Sequence, residues 1–310
     1  MLQPTSVELA DARAFLIERF DIDGDSVEYV AEGAWSRCFG FVHNAAELVI
    51  RFGRHVEDFE RDRLAARFAA PNLPIPQVIE IDEAFDAWYC VSTRAHGTAW
   101  EQLDPTEWAN TLPSVLATLD ALRNANISAT NGYGRWDPEG NAPHATWADF
   151  LSSVIDDPPG SRTHGWKRQL VDSPDGDDSF VRGYAAMLDV ANAFPGTRSL
   201  IHNDLLNRNA LAAGGQVTSL FDWGCSMYGD FVYELATFVF WSPWHPAIQR
   251  SDMLSKALDH YGDMGLEVPN FDSRLRCCAL HVGLVHLAYN AFLGDVETLR
   301  MTDARLLDFL

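Results

Sequence analysis

The sequence predicts an α+β chain of two unequal lobes: a five-stranded antiparallel sheet carrying one helix, then a larger, mainly helical part. Three features point there. Short runs rich in Val, Ile, Phe and Tyr, separated by turn residues, crowd the first 95 positions. Segments with apolar residues at helical spacing fill most of the remainder. One pair of apolar runs around Gly214-Gly215 interrupts the helices and carries isolated polar residues.

The first lobe, residues 1–95, opens on an expected helix over 6–19 (SVELADARAFLIER). Three β-rich runs follow, SVEYVAE, SRCFGFV and ELVIRF, divided by Gly33-Ala34 and by positions 43–46, and they read as an antiparallel meander. Residues 55–69 set Val56, Phe59, Leu64 and Phe68 on one side of a helix with acids near its start, where the helix dipole favours them. The PNLPIP segment, Pro71 to Pro76, ends that helix and forces extended chain. Two more strands are expected in QVIEI and AWYCVSTR, residues 77–81 and 87–94. This order of elements is that of the small lobe of a protein-kinase-like fold.

The second lobe, residues 96–310, is expected to hold helices over 106–125, over 178–194 and in long stretches after Pro246. Between the first two, Asp156 to Asp178 is rich in Pro, Gly, Ser and Asp and reads as loops around a short element. No internal repeat or low-complexity tail is present.

The charge pattern narrows the partners. A net charge of −21 with only two lysines, Lys167 and Lys256, disfavours nucleic acid, whose binding depends on clustered cations that release counterions from phosphates. The same field attracts cationic small molecules, although net charge speaks to solubility first. Residues 1–15 lack the basic start and apolar run of a signal peptide, and the longest apolar stretch, Cys277 to Leu293, is broken by His281, His286 and Asn290. A cytoplasmic protein without a membrane partner, monomeric or weakly dimeric, is therefore expected. The five cysteines show no C-x-x-C spacing, so neither a zinc site nor a redox pair is expected, and they read as reduced and buried.

The chemistry concentrates in His202-Asn203-Asp204-Leu205-Leu206-Asn207-Arg208-Asn209, followed by Phe221-Asp222-Trp223-Gly224. If Ala210-Leu211-Ala212 pairs with Val217 to Leu220, Asn209 and Asp222 meet at the open end of a hairpin. An amide oxygen and a carboxylate there are hard ligands suited to Mg2+ on the phosphates of ATP or GTP. Asp204, five residues before Asn209, can then accept the proton of an attacking hydroxyl, which is the kinase arrangement of catalytic Asp, following Asn and metal-binding Asp.

These segments, with the GDFVYELA run at Gly229 to Ala236, resemble the aminoglycoside phosphotransferase family. Further matches include EGAWSR, LVIRF, LPIP, STRAHG, GYGRWDPEG, TWADF and VFWSPW, and the last is nearest to the members that act on hygromycin B. The resemblance weakens from about Gly265 onward. It implies Asp204 as catalytic residue and Asn209 and Asp222 as metal ligands. It also implies Arg51 as a contact to nucleotide phosphates, a place where most kinases have Lys; a guanidinium can hold two phosphate oxygens at once.

An acid of the following helix should orient Arg51, and Glu60 is favoured over Asp62. Backbone amides around Gly33 and the Ser36 hydroxyl are expected at the phosphates, and backbone at Ser92 to Ala95, Arg94 included, at the purine. Arg208 is a candidate to offset charge on the transferring group. Trp241 and Trp244 are expected to form a stacking wall for the acceptor. His202 is expected to pack the catalytic loop, and Asp230 to cap a helix and brace that loop.

The implied reaction is phosphoryl transfer to a hydroxyl of an aminocyclitol antibiotic, hygromycin B first. Choline, homoserine, a macrolide or a sugar remains open as acceptor, as does a non-catalytic nucleotide-binding relative, motivated by the missing strand Lys and the single glycine of EGAWSR. No H-E-x-x-H or G-x-S-x-G occurs to support a zinc enzyme or a serine hydrolase.

Overall fold

Alternation along the early strands decides what each face of the first sheet covers. The computed structural model describes residues 6–191, 194 and 196–310. Helix α1 (Leu9–Phe20) precedes strands β1 (Glu28–Glu32), β2 (Ser36–His43) and β3 (Ala46–Gly53); helix α2 (Val56–Ala65) separates these from β4 (Val78–Ala84) and β5 (Ala87–Thr93). The five strands form one antiparallel sheet in the order β1-β2-β3-β5-β4. Leu48, Ile50 and Phe52 of β3 point to the face packed with Leu16 of α1, Phe39, Phe41 and Tyr89. Side chains alternate faces along a strand, so Arg51 looks the other way, toward α2.

Two hairpins close without glycine. Asn44 and Ala45 join β2 to β3 with φ of 49° and 63°, and Phe85 and Asp86 join β4 to β5 with φ of 55° each. Positive φ at both central residues is what a two-residue turn needs to match the strand twist. The helix expected over 55–69 stops earlier: α2 gives way to a 3₁₀ turn at Ala66–Phe68, which leaves Phe68 only partly buried, before Pro71 sets the chain extended.

The remainder runs through β6 (Thr98–Ala99), α3 (Pro105–Arg123), β7 (Gly134–Arg135), α4 (Trp147–Ser152), α5 (Trp166–Asp172), α6 (Asp177–Ala191), β8 (Ser199–Ile201), β9 (Ala210–Ala213), β10 (Gln216–Leu220), β11 (Met227–Gly229), α7 (Val232–Trp241), α8 (Pro246–Arg250), α9 (Met253–Asp263), α10 (Phe271–Leu293) and α11 (Val296–Leu307). Helix α3 starts where sequence chemistry says it should: Asp104 accepts from Thr106 N and Glu107 N at 2.7 and 2.8 Å, and the Glu107 side chain returns to Asp104 N at 3.0 Å. For the helix expected over 178–194, positions 192 and 193 lie outside the described residues.

Of two small sheets, β10-β9-β6 contains the hairpin expected around Gly214-Gly215, while its third strand β6 and the sheet β7-β11-β8 had no counterpart in the sequence. Strands of two to five residues are too short to show a period.

Helix α10 runs through the second core against α5, α6, α7 and α11. Its polar interruptions are satisfied inside: Tyr233 OH lies 2.8 Å from His281 Nδ1, and Asn290 donates to Thr302 Oγ1 at 3.1 Å. Among the described residues, no helix is long and apolar enough to cross a membrane. Cys90, Cys277 and Cys278 are buried, whereas Cys38 and Cys225 are only partly covered.

Candidate active site

The β9–β10 hairpin builds the site. Gln216 pairs with Ala213 and Leu220 with Ala210, the turn is made by Gly214 and Gly215 at φ of 57° and 76°, and Phe221 N donates to Asn209 O at 3.0 Å. That last bond fixes the open end of the hairpin, with Asn209 on one side and Asp222 on the other. The Asn209 amide nitrogen donates to Asp204 O and to Asp204 Oδ2, both at 2.9 Å. Its oxygen is thereby left free to face a cation, and Asp204 is tied to its Asn. Asn207 adds a longer contact to Asp204 Oδ2 at 3.5 Å.

Burial, then the charge of Asp222, pushes the Asp204 carboxyl up to about 8. Asp222 is pushed up to about 6 by burial first and the Asp62 charge second, with Arg51 opposing. Neither Asp204 nor Asp222 has an ion-pair partner among the described residues. Two close carboxylates without a cation favour the protonated form, which is the electrostatic complement of a site built to receive positive charge.

His202 is buried at 0% exposure, and both ring nitrogens are used. Nε2 lies 3.1 Å from Phe221 O, Nδ1 receives Asp204 N at 3.3 Å, and the ring packs on Trp223 with centroids 4.5 Å apart. Those partners fix a neutral imidazole protonated at Nε2, and burial pulls its pKa down to about 4. His202 is a spacer between Asp204 and the Asp222 strand.

The brace of this loop is not Asp230. Asp230 accepts from Val232 N at 3.1 Å, as a cap would, but its carboxylate is forked onto Arg274 of α10 at 2.6 and 2.7 Å, both side chains 3% exposed. The acid that holds the loop is Glu234, one turn further along α7. Its Oε1 accepts from His202 N and, at 3.0 Å, from Asn203 N, and burial pushes it up to about 7. Its place four residues after Asp230, on a helix whose start is buried, was the available signal; the partners lie some thirty residues away.

On the sheet side, Arg51 pairs with Asp62 and not with Glu60. Two residues turn a helix by about 200°, so the two acids point nearly opposite ways. Asp62 shares a face with Phe59, whose ring lies 5.1 Å from the Arg51 guanidinium carbon, while Glu60 pairs with Arg63 on the outer face. Asp62 Oδ1 also accepts from Trp223 N at 2.8 Å, linking α2 to the strand end that carries Asp222. Arg61 adds bonds to Trp136 O at 2.8 Å and Gly224 O at 3.4 Å.

Gly33 N bonds Ser36 O at 2.9 Å and closes the turn between β1 and β2; Ser36 begins β2 opposite Gly53. The backbone expected at the purine, Ser92 to Ala95, is largely taken up by the sheet. Ser92 is buried inside the sheet opposite Val49 and Val78, Thr93 N bonds Gln77 O, and Arg94 N bonds Glu47 O at 3.1 Å. The Arg94 guanidinium is committed to Glu28. Strand β5 ends at Thr93, one residue short of the expected run, and Ala95 N is the first amide after it without a partner among the described residues.

At the end of α7, Trp241 and Trp244 are half-buried with ring centroids 5.3 Å apart, and Trp241 meets His286 of α10 edge-on at 4.6 Å. Arg208 is exposed at φ 63°. Sequence reasoning gave no role to Arg135, in β7 opposite Met227, whose charge opposes the upward shift of Asp204.

A five-stranded lobe with helices α1 and α2, a helical lobe, and an Asp-Asn-Asp set at a hairpin mouth define a phosphotransferase of kinase-like fold. The chain belongs to the phosphotransferase enzyme family, whose model matches residues 27–266. It is 34% identical over 255 residues to hygromycin-B 4-O-kinase of Escherichia coli, covering 80% of this chain and 70% of that relative. A thermostable mutant of aminoglycoside phosphotransferase APH(4)-Ia, solved as a ternary complex with AMP-PNP and hygromycin B, superposes with a TM-score of 0.83 at 29% identity over 96% of this chain and 97% of that one. Spectinomycin phosphotransferase APH(9)-Ia shares the fold, with a TM-score of 0.60 at 12% identity over 98% of this chain and 93% of that one.

Proposed function

We propose that the protein transfers the γ-phosphoryl group of ATP or GTP to a hydroxyl of an aminocyclitol antibiotic, hygromycin B first among them. The observation that carries the reading is the placement of Asp204, Asn209 and Asp222 at one hairpin mouth opposite the Arg51–Asp62 pair. The acceptor class rests on the tryptophan pair and on what the related enzymes act on.

In this reading residues 1–95 hold the nucleotide, and residues 96–310 supply the catalytic loop and the acceptor wall. Arg51, oriented by Asp62 and stacked on Phe59, holds phosphate oxygens; a fork fixed on one side keeps its other N–H groups aimed at the ligand. Amides of the Gly33–Ser36 turn and the Ser36 hydroxyl cap the same phosphates. Ala95 N–H is the backbone donor open to the purine.

The site suits Mg2+. Its two candidate ligands, Asn209 Oδ1 and an Asp222 carboxylate, are hard oxygens, and the Asn209 nitrogen is spent on Asp204 so that the oxygen faces outward. When bound, the ion neutralises charge on the phosphate oxygens. Asp204, held by Asn209 and by the His202 spacer, receives the proton of the acceptor hydroxyl and aims that oxygen in line with the γ-phosphate. Arg208, at the loop's exposed edge, offsets charge on the group in transit. Trp241 and Trp244 offer flat apolar area with N–H donors to a sugar face.

The chain would work in the cytoplasm as a monomer or weak dimer, and its −21 charge argues against a nucleic-acid partner. A coupled ADP-release assay with Mg-ATP and Mg-GTP against hygromycin B, other aminoglycosides, choline and simple sugars tests the reading. Turnover with hygromycin B that Asp204→Ala abolishes is expected. Turnover with choline or sugars alone would overturn the acceptor, and no turnover with any acceptor would overturn the catalytic reading.

A further inference from the structure

We propose that Arg162 is a positioning residue that straps the helical part of the chain onto the phosphate corner of the sheet and so sets how long nucleotide is held. The inference rests on the reading above, because it takes the corner around Gly33–Ser36 and Arg51 as the phosphate site.

Arg162 lies between α4 and α5, in the Pro- and Gly-rich stretch that the sequence marks only as loop. Its guanidinium crosses to the first turn of α2, where Nη1 meets Asp58 Oδ2 at 2.7 Å, Nη2 meets Asp58 Oδ1 at 3.0 Å, and Nη2 also bonds Glu57. Forked, charge-assisted pairs of this kind fix orientation as well as distance. The guanidinium carbon also sits 5.7 Å from the centroid of the Trp35 ring, within the range of a cation–π contact. Trp35 belongs to the Gly33–Ser36 turn, and its ring meets His55 edge-on at 5.3 Å just after β3. One arginine therefore touches both the phosphate turn and the start of α2.

The root of the strap is rigid. Asp157 accepts from Gly165 N at 2.9 Å, and Trp166, 4% exposed, packs on Phe180 of α6 with centroids 5.1 Å apart. The far end is coupled to the site, since α2 carries Asp62, which holds Arg51 and Trp223 N. The route runs from the α5 core through Arg162 to Glu57 and Asp58, along α2 to Asp62, and on to Arg51. Other polar contacts from the helical part reach α2 further along, at Arg61 and Asp62. Among the described residues it is Arg162 that grips the phosphate turn from that side.

The test uses Mg2+ and fluorescent N-methylanthraniloyl-ADP with the full chain, reading equilibrium affinity and stopped-flow release. Arg162→Ala is expected to release the nucleotide about tenfold faster and bind it about tenfold more weakly, with the acceptor KM unchanged. Arg162→Lys should fall between, since an ammonium can meet one acid but cannot fork or stack as well. Glu57→Gln should weaken binding about threefold, and adding it to Arg162→Ala should change nothing further, because the two act as one contact. Release within twofold of wild type in Arg162→Ala, whatever its melting temperature, would overturn the proposal, as would additive effects in the double variant. Absence of ADP binding by the wild-type chain would overturn the nucleotide reading itself, which separates the two failures.

Discussion

The sheet side and the hairpin side of the site treat their acids differently. On the sheet side, Asp62 is matched by Arg51, so the corner is electrically closed before any ligand arrives. On the hairpin side, neither Asp204 nor Asp222 has an ion-pair partner among the described residues, and both are pushed upward by burial and by neighbouring negative charge. Helix α7 repeats the contrast: Asp230 is matched by Arg274, whereas Glu234 meets only backbone N–H groups. Acids with a cation join one element to another, and acids without one gather at the Asp204 loop and the hairpin mouth, where Glu234 holds the loop through its amides.

Removing an unmatched acid from the floor should cost the most. Asp204→Asn keeps the shape but cannot take the acceptor proton, so turnover should fall by about 10³-fold while nucleotide affinity stays within about threefold, read by ADP release beside nucleotide titration. Unmatching a matched acid comes next. Arg274→Met strands the buried Asp230 charge and should destabilise by about 3–4 kcal/mol in urea unfolding, with Asp230→Asn added to recover most of the loss.

Glu234 supplies the pH dependence. Its folded value near 7 lies above the unfolded value of 4.5, so its stabilising share is full below about pH 4.5 and is lost as pH rises through about 7. Glu234→Gln keeps an oxygen for His202 N and Asn203 N and removes the titration. Its stability relative to wild type should improve by about 1–3 kcal/mol between pH 5 and pH 8, and a flat difference would show that Glu234 does not titrate in that window.

The smallest effect separates the two acids of α2. Asp62→Asn should raise the nucleotide KM about tenfold by loosening Arg51, while Glu60→Gln, which breaks only the surface pair with Arg63, should leave it within about twofold.

The hairpin that gathers Asp204, Asn209 and Asp222 was legible because it is local: twelve residues lie between Asn209 and Asp222, and the apolar runs around Gly214-Gly215 allow one pairing. Glu60 was favoured over Asp62 because composition does not fix the phase of a ten-residue helix whose inward face is partly polar. The loop brace fell to Asp230 by its helix-start position, when the buried arginine that claims it lies forty-four residues on. Within the segment expected at the purine, the amides of Thr93 and Arg94 are taken by Gln77 and Glu47, partners distant in sequence that no local pattern reveals.

Asp222 does two jobs at once. It offers a carboxylate at the hairpin mouth, and its backbone is left-handed, at φ 62° and ψ 69°, where most side chains are strained and Asp, Asn and Gly are tolerated. Glycine would keep the backbone and lose the oxygen; glutamate would keep the oxygen and strain the backbone. Mutational drift at this position is therefore narrowed to a single neighbour, asparagine, and a library randomised there and selected for resistance should return a two-letter alphabet.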